Sequence, residues 1–362
     1  MYADYNRRIG IMTSRPGEGL AVGFEGTRIP DAVAALAERS GLGGLVLFTR
    51  NCPDVESVLA QTKAARALGP DVLVMVDHEG GRVHRLPEPF TRFPPAAAIG
   101  RAGDPRLAAA VARAMARELR AAGFDSGIAP VLDCLFDPAS TVIGERAYGA
   151  APDEVAACGV AFVEAALAEG VIPVAKHFPG HGRTPLDSHR ELPEVGASND
   201  ELTRGDLVPF RAALDAGCPA VLVAHVRYRA LDPTLPASLS PAIIGGLLRE
   251  RLGFAGLVLS DDLEMAAVAE GWGIAEAARR FLLAGGDLAL ICRDGEAQRE
   301  AVVSIEKAID RGALDLAPSV RRRRAVRRLA EAAGPRPAVA VIGCAEHRAL
   351  ADEIGRRSAV RA

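Results

Sequence analysis

The segment from Lys176 to His189 concentrates the side chains best suited to chemistry. Within fourteen residues it carries Lys176, His177, His181, Asp187 and His189. Interspersed prolines and glycines exclude a continuous helix, so we expect a polar loop at the end of a strand. The lysine is notable because the chain has 43 Lys and Arg residues, of which only three are lysines. A compact ammonium kept at this position predicts a functional site in the loop.

Composition narrows the class of protein. The 362 residues are 49% hydrophobic and 25% charged, with a net charge of −3, which is typical of a globular protein with a large core. This charge does not favour nucleic acid or an anionic membrane as a partner. The N-terminus lacks the pattern of a signal peptide, no apolar run is long enough to span a bilayer, and the six cysteines form no Cys-x-x-Cys pair. We therefore expect a cytoplasmic protein with reduced cysteines.

Short apolar runs alternate along the chain with longer amphipathic segments. The predicted strands are Leu20–Phe24, Gly44–Phe48, Val72–Val76, Gly127–Leu132, Val171–Ala175, Ala220–Ala224, Leu257–Leu259 and Asp287–Ile291. The predicted helices are Pro30–Ser40, Asp54–Leu68, Asp104–Ala122, Asp153–Glu169, Asp200–Ala216, Pro241–Leu252, Ile274–Ala284 and Gly295–Arg311. Eight strands, each followed by a helix, predict an α/β fold of the (β/α)8 TIM-like barrel type. An open doubly wound sheet is the alternative, but Gly-Phe-Glu-Gly after the first strand is not a phosphate-binding loop.

Helix boundaries also carry sequence signals. Asp54, Asp104, Asp153 and Asp200 stand where N-caps are expected, and glycines follow several helices as C-terminal stops. The barrel further predicts that reactive groups gather at the carboxyl ends of its strands. The residues that follow five consecutive predicted strands are Asp77, Asp133, Lys176, His225 and Asp261. This distribution is typical of an enzyme.

Two groups could act on a bond between them. Asp261 follows a buried strand, so its carboxylate is expected to point into the barrel mouth, where it could attack or stabilise a cationic centre. Asp262 should then face away and cap the next segment. His189 could donate a proton, with Asp187 orienting its ring. Arg85 and Arg146 lie in loops after the third and fourth strands. With Asp77, Lys176 and His177 they could form a ring of hydrogen-bonding groups around a polyhydroxylated ligand.

Five motifs together resemble those of the β-N-acetylglucosaminidases of glycoside hydrolase family 3. They are Val76–Val83, Val142–Arg146, Lys176–Gly182, Asp187–His189 and Ser260–Met265. The resemblance spans roughly residues 18 to 335. It implies that Asp261 is the nucleophile and that His189, paired with Asp187, is the general acid/base. It also implies that Asp77, Arg85, Arg146, Lys176 and His177 bind a terminal N-acetylglucosamine.

The resemblance also implies a retaining reaction with a covalent glycosyl-aspartate intermediate, without a metal or an organic cofactor. The expected substrate is a muropeptide, from which terminal N-acetylglucosamine is removed during peptidoglycan recycling. We expect a monomer. Transfer of the sugar to phosphate and a broader β-glucosidase activity stay open within the family.

Two chemistries from other classes also stay open. Lys176 stands where the lysine of a Schiff-base aldolase would stand. A metal-dependent hydrolase could use His177, His225 and Asp261, but such barrels usually present a His-x-His pair on the first strand, and Leu20–Phe24 has no histidine.

The end of the chain adds a second region. We assign residues 1–335 to the catalytic barrel domain and residues 336–362 to a C-terminal extension that resembles the remnant of a second α/β domain. Within the extension, Ala338–Ile342 is predicted as a strand and His347–Arg357 as a helix. The arginine-rich run from Arg321 to Arg328 is predicted to coat a solvated helix.

Overall fold

A parallel β-sheet that curls into a half-barrel organises the computed structural model, which describes residues 14–184 and 192–360. In chain order the strands are β1 (Leu20–Val22), β2 (Gly44–Leu47), β3 (Leu73–Val76), β4 (His78–Gly80), β5 (Val83–His84), β6 (Val174–Phe178), β7 (Glu194–Val195), β8 (Ala220–Val223), β9 (Arg227–Tyr228), β10 (Leu257–Asp262) and β11 (Leu288–Ile291). Seven of them form the main sheet in the order β3-β2-β1-β11-β10-β8-β6, with every neighbouring pair parallel. The α/β class predicted from the sequence is confirmed.

The strands of this sheet are buried on both faces. All residues of β1, β2 and β3 are buried, as their nearly continuous Leu, Val and Ala composition predicts. Because every neighbouring pair of strands is parallel, the polar residues at their carboxyl ends lie at one edge of the sheet.

The predicted strand Gly127–Leu132 is not formed as a continuous strand. This segment makes only isolated parallel bridges, from Ser126 to Met75 of β3 and from Val131 to Lys176 of β6. Pro130 has no N–H to donate and Ile128 adopts a φ of 43°, so a regular ladder is interrupted.

The predicted strand Val171–Ala175 is displaced along the chain. The observed strand β6 runs from Val174 to Phe178, so Lys176 and His177 belong to the strand instead of following it. Their side chains are nevertheless buried at the carboxyl end of the sheet.

The α-helices follow the predicted alternation. They are α1 (Asp31–Ser40), α2 (Val55–Ala65), α3 (Ala96–Ala102), α4 (Pro105–Ala121), α5 (Pro152–Ala168), α6 (Asn199–Arg204), α7 (Leu207–Asp215), α8 (Ala266–Trp272), α9 (Ile274–Leu283), α10 (Gly295–Asp310), α11 (Ala317–Glu331) and α12 (Ala345–Val360). A π-helical segment, Ala242–Arg251, replaces the predicted helix at 241–252. The predicted helix at 200–216 is divided into α6 and α7 around Gly205, which leaves helical geometry with a ψ of −89° at a φ of −119°.

The predicted N-caps are partly confirmed. The side chain of Asp54 accepts a hydrogen bond from the amide of Ser57, and Asp104 caps α4 in the same way. The predictions for Asp153 and Asp200 are wrong, because both lie inside the first turn of their helices. Acidic residues also favour the first turn, where they interact with the helix dipole, so the sequence signal is ambiguous by a few positions.

A short hairpin stands directly after β3. Strand β4 pairs with β5 in antiparallel orientation, and the turn between them uses Gly80 and Gly81, with φ values of 92° and 56°. Only glycine adopts such values without strain, so the Gly-Gly pair permits this tight turn.

The chain end packs on the α/β domain. The predicted strand Ala338–Ile342 is wrong: this segment contains a 3-10 turn, Val339–Val341, and the helix predicted after it is α12. Its successive residues Val339 and Ala340 are both exposed, so no buried face favours a strand there.

The arginine-rich helix α11 is not the solvated helix that we predicted. Arg323 is 1% exposed and donates to the carbonyl oxygen of Glu18 at 2.5 Å. Arg322 pairs with Asp287 at 2.9 Å and Arg324 with Asp71 at 2.7 Å. Periodicity identified the helix, but carboxylates from distant parts of the chain cover its arginine face.

Among the described residues, no helix combines the length and apolar character needed to cross a bilayer.

Candidate active site

A cavity of about 440 Å³ lies at the carboxyl end of the sheet. The predicted site residues that line it are Asp77, Arg85, Arg146, Lys176, His177 and Asp261. They come from separate parts of the chain and meet because parallel strands end at the same edge. Asp187 and His189, predicted as the catalytic pair with Asp261, lie outside the described residues.

Lys176 is the centre of an ion-pair network in this cavity. Its Nζ lies 2.8 Å from Oδ1 of Asp77 and 2.5 Å from Oε1 of Glu79. Arg146 grips the same Glu79 with two parallel hydrogen bonds, Nε to Oε2 and Nη2 to Oε1, both at 2.8 Å. Two cations therefore share one carboxylate, which fixes the position of both.

The network keeps its members charged. Burial lowers the pKa of Lys176, but Asp77 and Glu79 outweigh burial and hold it above its ordinary value. Burial likewise raises the pKa of Glu79, yet Arg146 and Lys176 bring it well below its usual range. The site thus presents fixed cationic donors and anionic acceptors, which suits the hydroxyl groups of a sugar.

His177 is held between a carboxylate and a guanidinium. Its Nδ1 lies 2.6 Å from Oδ2 of Asp133, and its Nε2 lies 3.1 Å from Nη2 of Arg146. A ring that donates from Nδ1 to Asp133 can accept from Arg146 at Nε2. Asp133 also accepts from the backbone amides of His177 and His181, at 3.2 and 2.6 Å. This buried carboxylate therefore orients both the ring and the backbone of the loop that follows β6.

Asp261 lies at the end of β10. Its Oδ1 accepts the backbone amide of Asp262 at 2.9 Å. Burial raises the pKa of Asp261, but His177, His225, that amide and Lys176 outweigh burial and hold it below its ordinary value. A carboxylate that stays ionised beside cationic groups is suited to act as a nucleophile or to stabilise a cation.

The neighbouring Asp262 has a different environment. Its Oδ1 accepts the amides of Glu264 and Cys292, at 3.2 and 3.3 Å, so it holds the next segment as the sequence suggested. Burial and the charge of Glu264 raise the pKa of Asp262 to about 7. His225, which had no assigned role, approaches the carbonyl oxygen of Asp262 with Nε2 at 3.0 Å and the hydroxyl of Ser238 with Nδ1 at 2.7 Å. It fixes the backbone next to Asp261.

Arg85 differs from the other cations of the cavity. Within residues 14–184 and 192–360 it makes no ion pair, and its buried Nε has no hydrogen-bond partner. A guanidinium that lines a cavity in this condition is available to a ligand.

The chain just before residue 185 is tightly packed. A Cβ at Gly182 would lie 1.8 Å from the carbonyl oxygen of Cys134, so no larger residue fits without movement. Arg183 stacks 4.1 Å above the ring of Phe136 and donates from Nε to Asp206 at 2.7 Å. These contacts fix the point from which the chain continues toward Asp187 and His189.

Sequence reasoning missed the roles of Glu79 and Asp133. Glu79 lay within the motif Val76–Val83 without a role of its own, and Asp133 was noted at a strand end without a partner. The signal for both was a carboxylate next to a predicted strand end, but their partners lie 44 to 97 positions away along the chain. In the part of the chain that the structure describes, no group of three or more His, Cys, Asp or Glu residues could hold a metal ion.

Comparisons with known proteins identify a consistent set of relatives. The family model for the glycosyl hydrolase family 3 N terminal domain matches residues 16–331. A protein named beta-hexosaminidase from Methylococcus capsulatus is 43% identical over 267 residues, which cover 73% of this chain and 79% of that protein. A beta-hexosaminidase from Alkalilimnicola ehrlichii is 42% identical over 285 residues, covering 77% of this chain and 81% of that protein.

Solved structures agree in fold. A glycoside hydrolase family 3 beta-N-acetylglucosaminidase from Paenibacillus sp. str. FPU-7 is similar over 96% of this chain and 68% of its own, with a TM-score of 0.90 and 33% identity. NagZ from Neisseria gonorrhoeae, in complex with N-trifluoroacetyl-D-glucosamine, is similar over 96% of this chain and 100% of its own, with a TM-score of 0.78 and 31% identity.

Proposed function

The chain belongs to glycosyl hydrolase family 3, and on that premise we propose that it is a retaining exo-β-N-acetylglucosaminidase. The observation that carries the proposal is the position of Asp261, an ionised carboxylate in a cavity lined by fixed polar groups. The beta-hexosaminidase relatives and the beta-N-acetylglucosaminidase structure support the same activity.

We assign the nucleophilic role to Asp261. Its carboxylate would attack the anomeric carbon, form a covalent glycosyl ester and release the leaving group. The ionised state needed for attack is favoured by the groups that lower its pKa. Asp262 is the poorer candidate, because its raised pKa and its hydrogen bonds to backbone amides suit a structural role.

We assign the proton transfers to His189, with Asp187 orienting its ring. In the first step His189 would protonate the departing glycosidic oxygen, and in the second it would take a proton from the water that attacks the glycosyl ester. Both assignments rest on the motif Asp187–His189 and on the packed chain that leads to it from Gly182 and Arg183.

We propose that the ionic network binds the terminal sugar. Asp77 and Lys176 can accept from and donate to adjacent hydroxyl groups, and Arg146 and His177 offer further donors and acceptors. Arg85 adds to the cavity wall a guanidinium that makes no ion pair with any described residue. Because these groups are already held by each other, they lose little freedom when a sugar binds.

The test compares neighbouring carboxylates. Asp261→Asn should reduce release of nitrophenol from the aryl N-acetyl-β-glucosaminide by about a thousandfold or more, because the nucleophile is lost. Asp262→Asn keeps an oxygen acceptor for the amides of Glu264 and Cys292, so it should lose far less. Equal turnover by the unaltered chain and Asp261→Asn would remove Asp261 from the nucleophilic role.

The substrate needs its own experiment. We propose muropeptides with terminal N-acetylglucosamine as the physiological substrate, by relation to the family. Assays with aryl N-acetylglucosaminide, glucoside and xyloside should favour the first, and a preferred glucoside would point to a broader β-glucosidase. Analysis of products in phosphate buffer distinguishes hydrolysis from phosphorolysis, because only the latter yields a sugar 1-phosphate.

The Schiff-base aldolase is the weaker alternative. A lysine attacks a carbonyl only as the neutral amine, and the carboxylates of Asp77 and Glu79 hold the pKa of Lys176 above its ordinary value. Borohydride should therefore trap no carbonyl compound on Lys176, and trapping at this residue would revive the alternative.

We also infer that the barrel is closed, with the segment around residues 126–132 as its eighth strand. Backbone hydrogen bonds to both neighbours support this: the amide of Val76 donates to Ser126, and the amide of Leu132 to Lys176, at 3.1 and 2.6 Å. The division into a barrel domain of residues 1–335 and an extension of residues 336–362, and a cytoplasmic location, stay predictions.

A further inference from the structure

A buried carboxylate on α4 connects two segments that lie far apart in the sequence. Glu118 is 2% exposed and accepts four hydrogen bonds. Two come from the amide and hydroxyl of Thr91, at 2.9 and 2.6 Å. The others come from the amide of Gly343 at 3.0 Å and from Nδ1 of His347 at 2.7 Å. A carboxylate with four donors at this depth fixes the position of each of them.

The two sides of this junction are the loop that follows β5 and the C-terminal extension. Thr91 belongs to the loop of residues 85–93, which begins with Arg85 in the cavity wall. Gly343 and His347 belong to the extension. Gly343 lies just before α12, and His347 lies in its first turn. Glu118 therefore binds both the loop of residues 85–93 and the C-terminal extension.

Direct packing reinforces the junction. A Cβ at Gly343 would lie 2.0 Å from the carbonyl oxygen of Pro89, and Gly343 has a φ of 61°, so the extension touches the loop where only glycine fits. Farther along α12, Ile354 is fully buried. Leu86 and Phe90 of the loop are each 2% exposed and pack in the main core. The loop is thus held between the core and the chain end.

We propose that Glu118, together with Gly343 and His347 of the C-terminal extension, positions Arg85 for sugar binding, so that Glu118 and His347 are positioning residues of the enzyme. The inference rests on the proposed function, because Arg85 is the group that would meet the sugar. Arg85 needs such support more than Arg146 or Lys176, which are held by Glu79 within the cavity. In the described structure Arg85 has no ion pair of its own to fix it.

The decisive experiment is a double-mutant cycle between Glu118 and Arg85, with KM and kcat measured on the aryl N-acetyl-β-glucosaminide. Glu118→Gln replaces one acceptor oxygen by the NH2 group of an amide. Because this group is a donor and faces other donors, the loop of residues 85–93 should shift. We expect KM to rise about tenfold, the effect of one misplaced charge-assisted hydrogen bond, while kcat changes less. In the Arg85→Ala background the same substitution should change KM by less than about twofold, because the group it positions is gone.

Two further variants keep the test decisive if Glu118→Gln does not fold. Thr91→Val removes one hydroxyl donor without changing the shape of the side chain, and it should raise KM in the same Arg85-dependent way. Ser358→Ala is the matched control on the extension. It removes the partner of Nε of Arg101 at 3.0 Å but touches neither the loop nor Glu118, so KM should not change.

Hydrogen exchange separates this inference from the proposed function. Amides of residues 86–93 should exchange about tenfold faster in Glu118→Gln or Thr91→Val than in the unaltered chain. This difference does not depend on whether the protein turns over the substrate. Absence of turnover by the unaltered chain would contradict the proposed function alone. A KM effect of equal size with and without Arg85, or unchanged KM and exchange in folded variants, would overturn the positioning role.

Discussion

Two adjacent carboxylates at the end of β10 illustrate how environment assigns roles at the scale of single residues. Asp261 faces His177, His225 and Lys176, and its pKa lies below the ordinary value. Burial and Glu264 raise the pKa of Asp262 to about 7. Identical side chains one position apart are therefore ionised to different extents near neutral pH. The sequence alone predicted their alternation across the strand but not this electrostatic difference.

The pH dependence of stability follows from Asp262. Its folded pKa of about 7 lies above the value near 3.9 expected for the unfolded chain. Between these values the folded protein binds a proton that the unfolded chain has lost, so this contribution to stability is present at low pH and disappears as the pH rises through 7. We expect Asp262→Asn to reduce the fall in unfolding free energy between pH 4 and 7.

Urea denaturation at several pH values between 4 and 7 measures this effect. Asp261→Asn is the comparison: the pKa of Asp261 is already lowered in the folded protein and its charge is a lesser cause of the raised pKa of Asp262, so it should reduce the slope in this range less than Asp262→Asn does. Parallel curves for the unaltered chain and Asp262→Asn would contradict the prediction.

His189 provides a second prediction for a single residue. If it donates a proton to the leaving group, its loss matters most where the leaving group is a poor one. We expect His189→Ala to reduce kcat/KM by about 10²-fold or more on an alkyl or sugar aglycone, and by much less on dinitrophenyl N-acetylglucosaminide. Steady-state kinetics on both substrates measures the difference. An equal loss on the two would argue against an acid role.

The candidate site could be predicted from the sequence to an unequal degree. Asp77, Lys176 and Asp261 were found because strand ends are recognisable from apolar runs, and the structure brings them into one cavity. Glu79 and Asp133 received no role, because an ion pair depends on which distant residues the fold brings together. The local sequence pattern does not show which residues far apart in the chain become neighbours in the fold.

Elements were predicted more reliably than their boundaries. Strand β6 is displaced by three residues from its prediction because Lys176 and His177 interrupt the apolar pattern, although both are buried within the strand. Polar residues can occupy a buried strand when partners such as Asp77 and Asp133 satisfy them. The segment at 127–132 is not a continuous strand for a different reason, the missing N–H of Pro130.

The turn after β6 permits a prediction at this scale. A methyl group at Gly182 would overlap the carbonyl oxygen of Cys134, whereas one at Gly196 would meet nothing within 4 Å. We expect Gly182→Ala to displace the chain that leads to the predicted catalytic pair, and so to reduce kcat/KM by at least about tenfold, with a lower melting temperature. Gly196→Ala, on the other side of that pair, should match the unaltered chain in both measurements. Full activity of Gly182→Ala would contradict the role of this contact.

Charged side chains have different roles at the carboxyl edge of the sheet and along helix α11. At the carboxyl edge of the sheet, charged groups surround a cavity and remain accessible to a ligand. Elsewhere arginines of α11 close the structure by pairing with distant carboxylates, as Arg322 does with Asp287 and Arg324 with Asp71. Arginine is suited to this task because its planar group can satisfy several acceptors at once. This use explains the arginine-rich run without a nucleic-acid partner.

Deletion of the C-terminal extension would show how much it contributes to the stability of the rest of the chain. Deleting residues 339–362 would uncover the apolar surface under Ile354 and leave Glu118 without the donors of Gly343 and His347. Since an unsatisfied buried group and a lost core side chain each cost on the order of 1–3 kcal/mol, we expect the unfolding free energy to fall by at least about 3 kcal/mol. Urea titration followed by circular dichroism measures the midpoint.

A chain shortened only by its last two residues is the control for this deletion and should keep the unaltered midpoint. The two outcomes distinguish two descriptions of residues 336–362. If these residues are a remnant attached to a complete barrel, the deletion leaves the midpoint in place. If the extension completes the core around Glu118, the midpoint falls, because Glu118 then keeps only the two hydrogen bonds from Thr91.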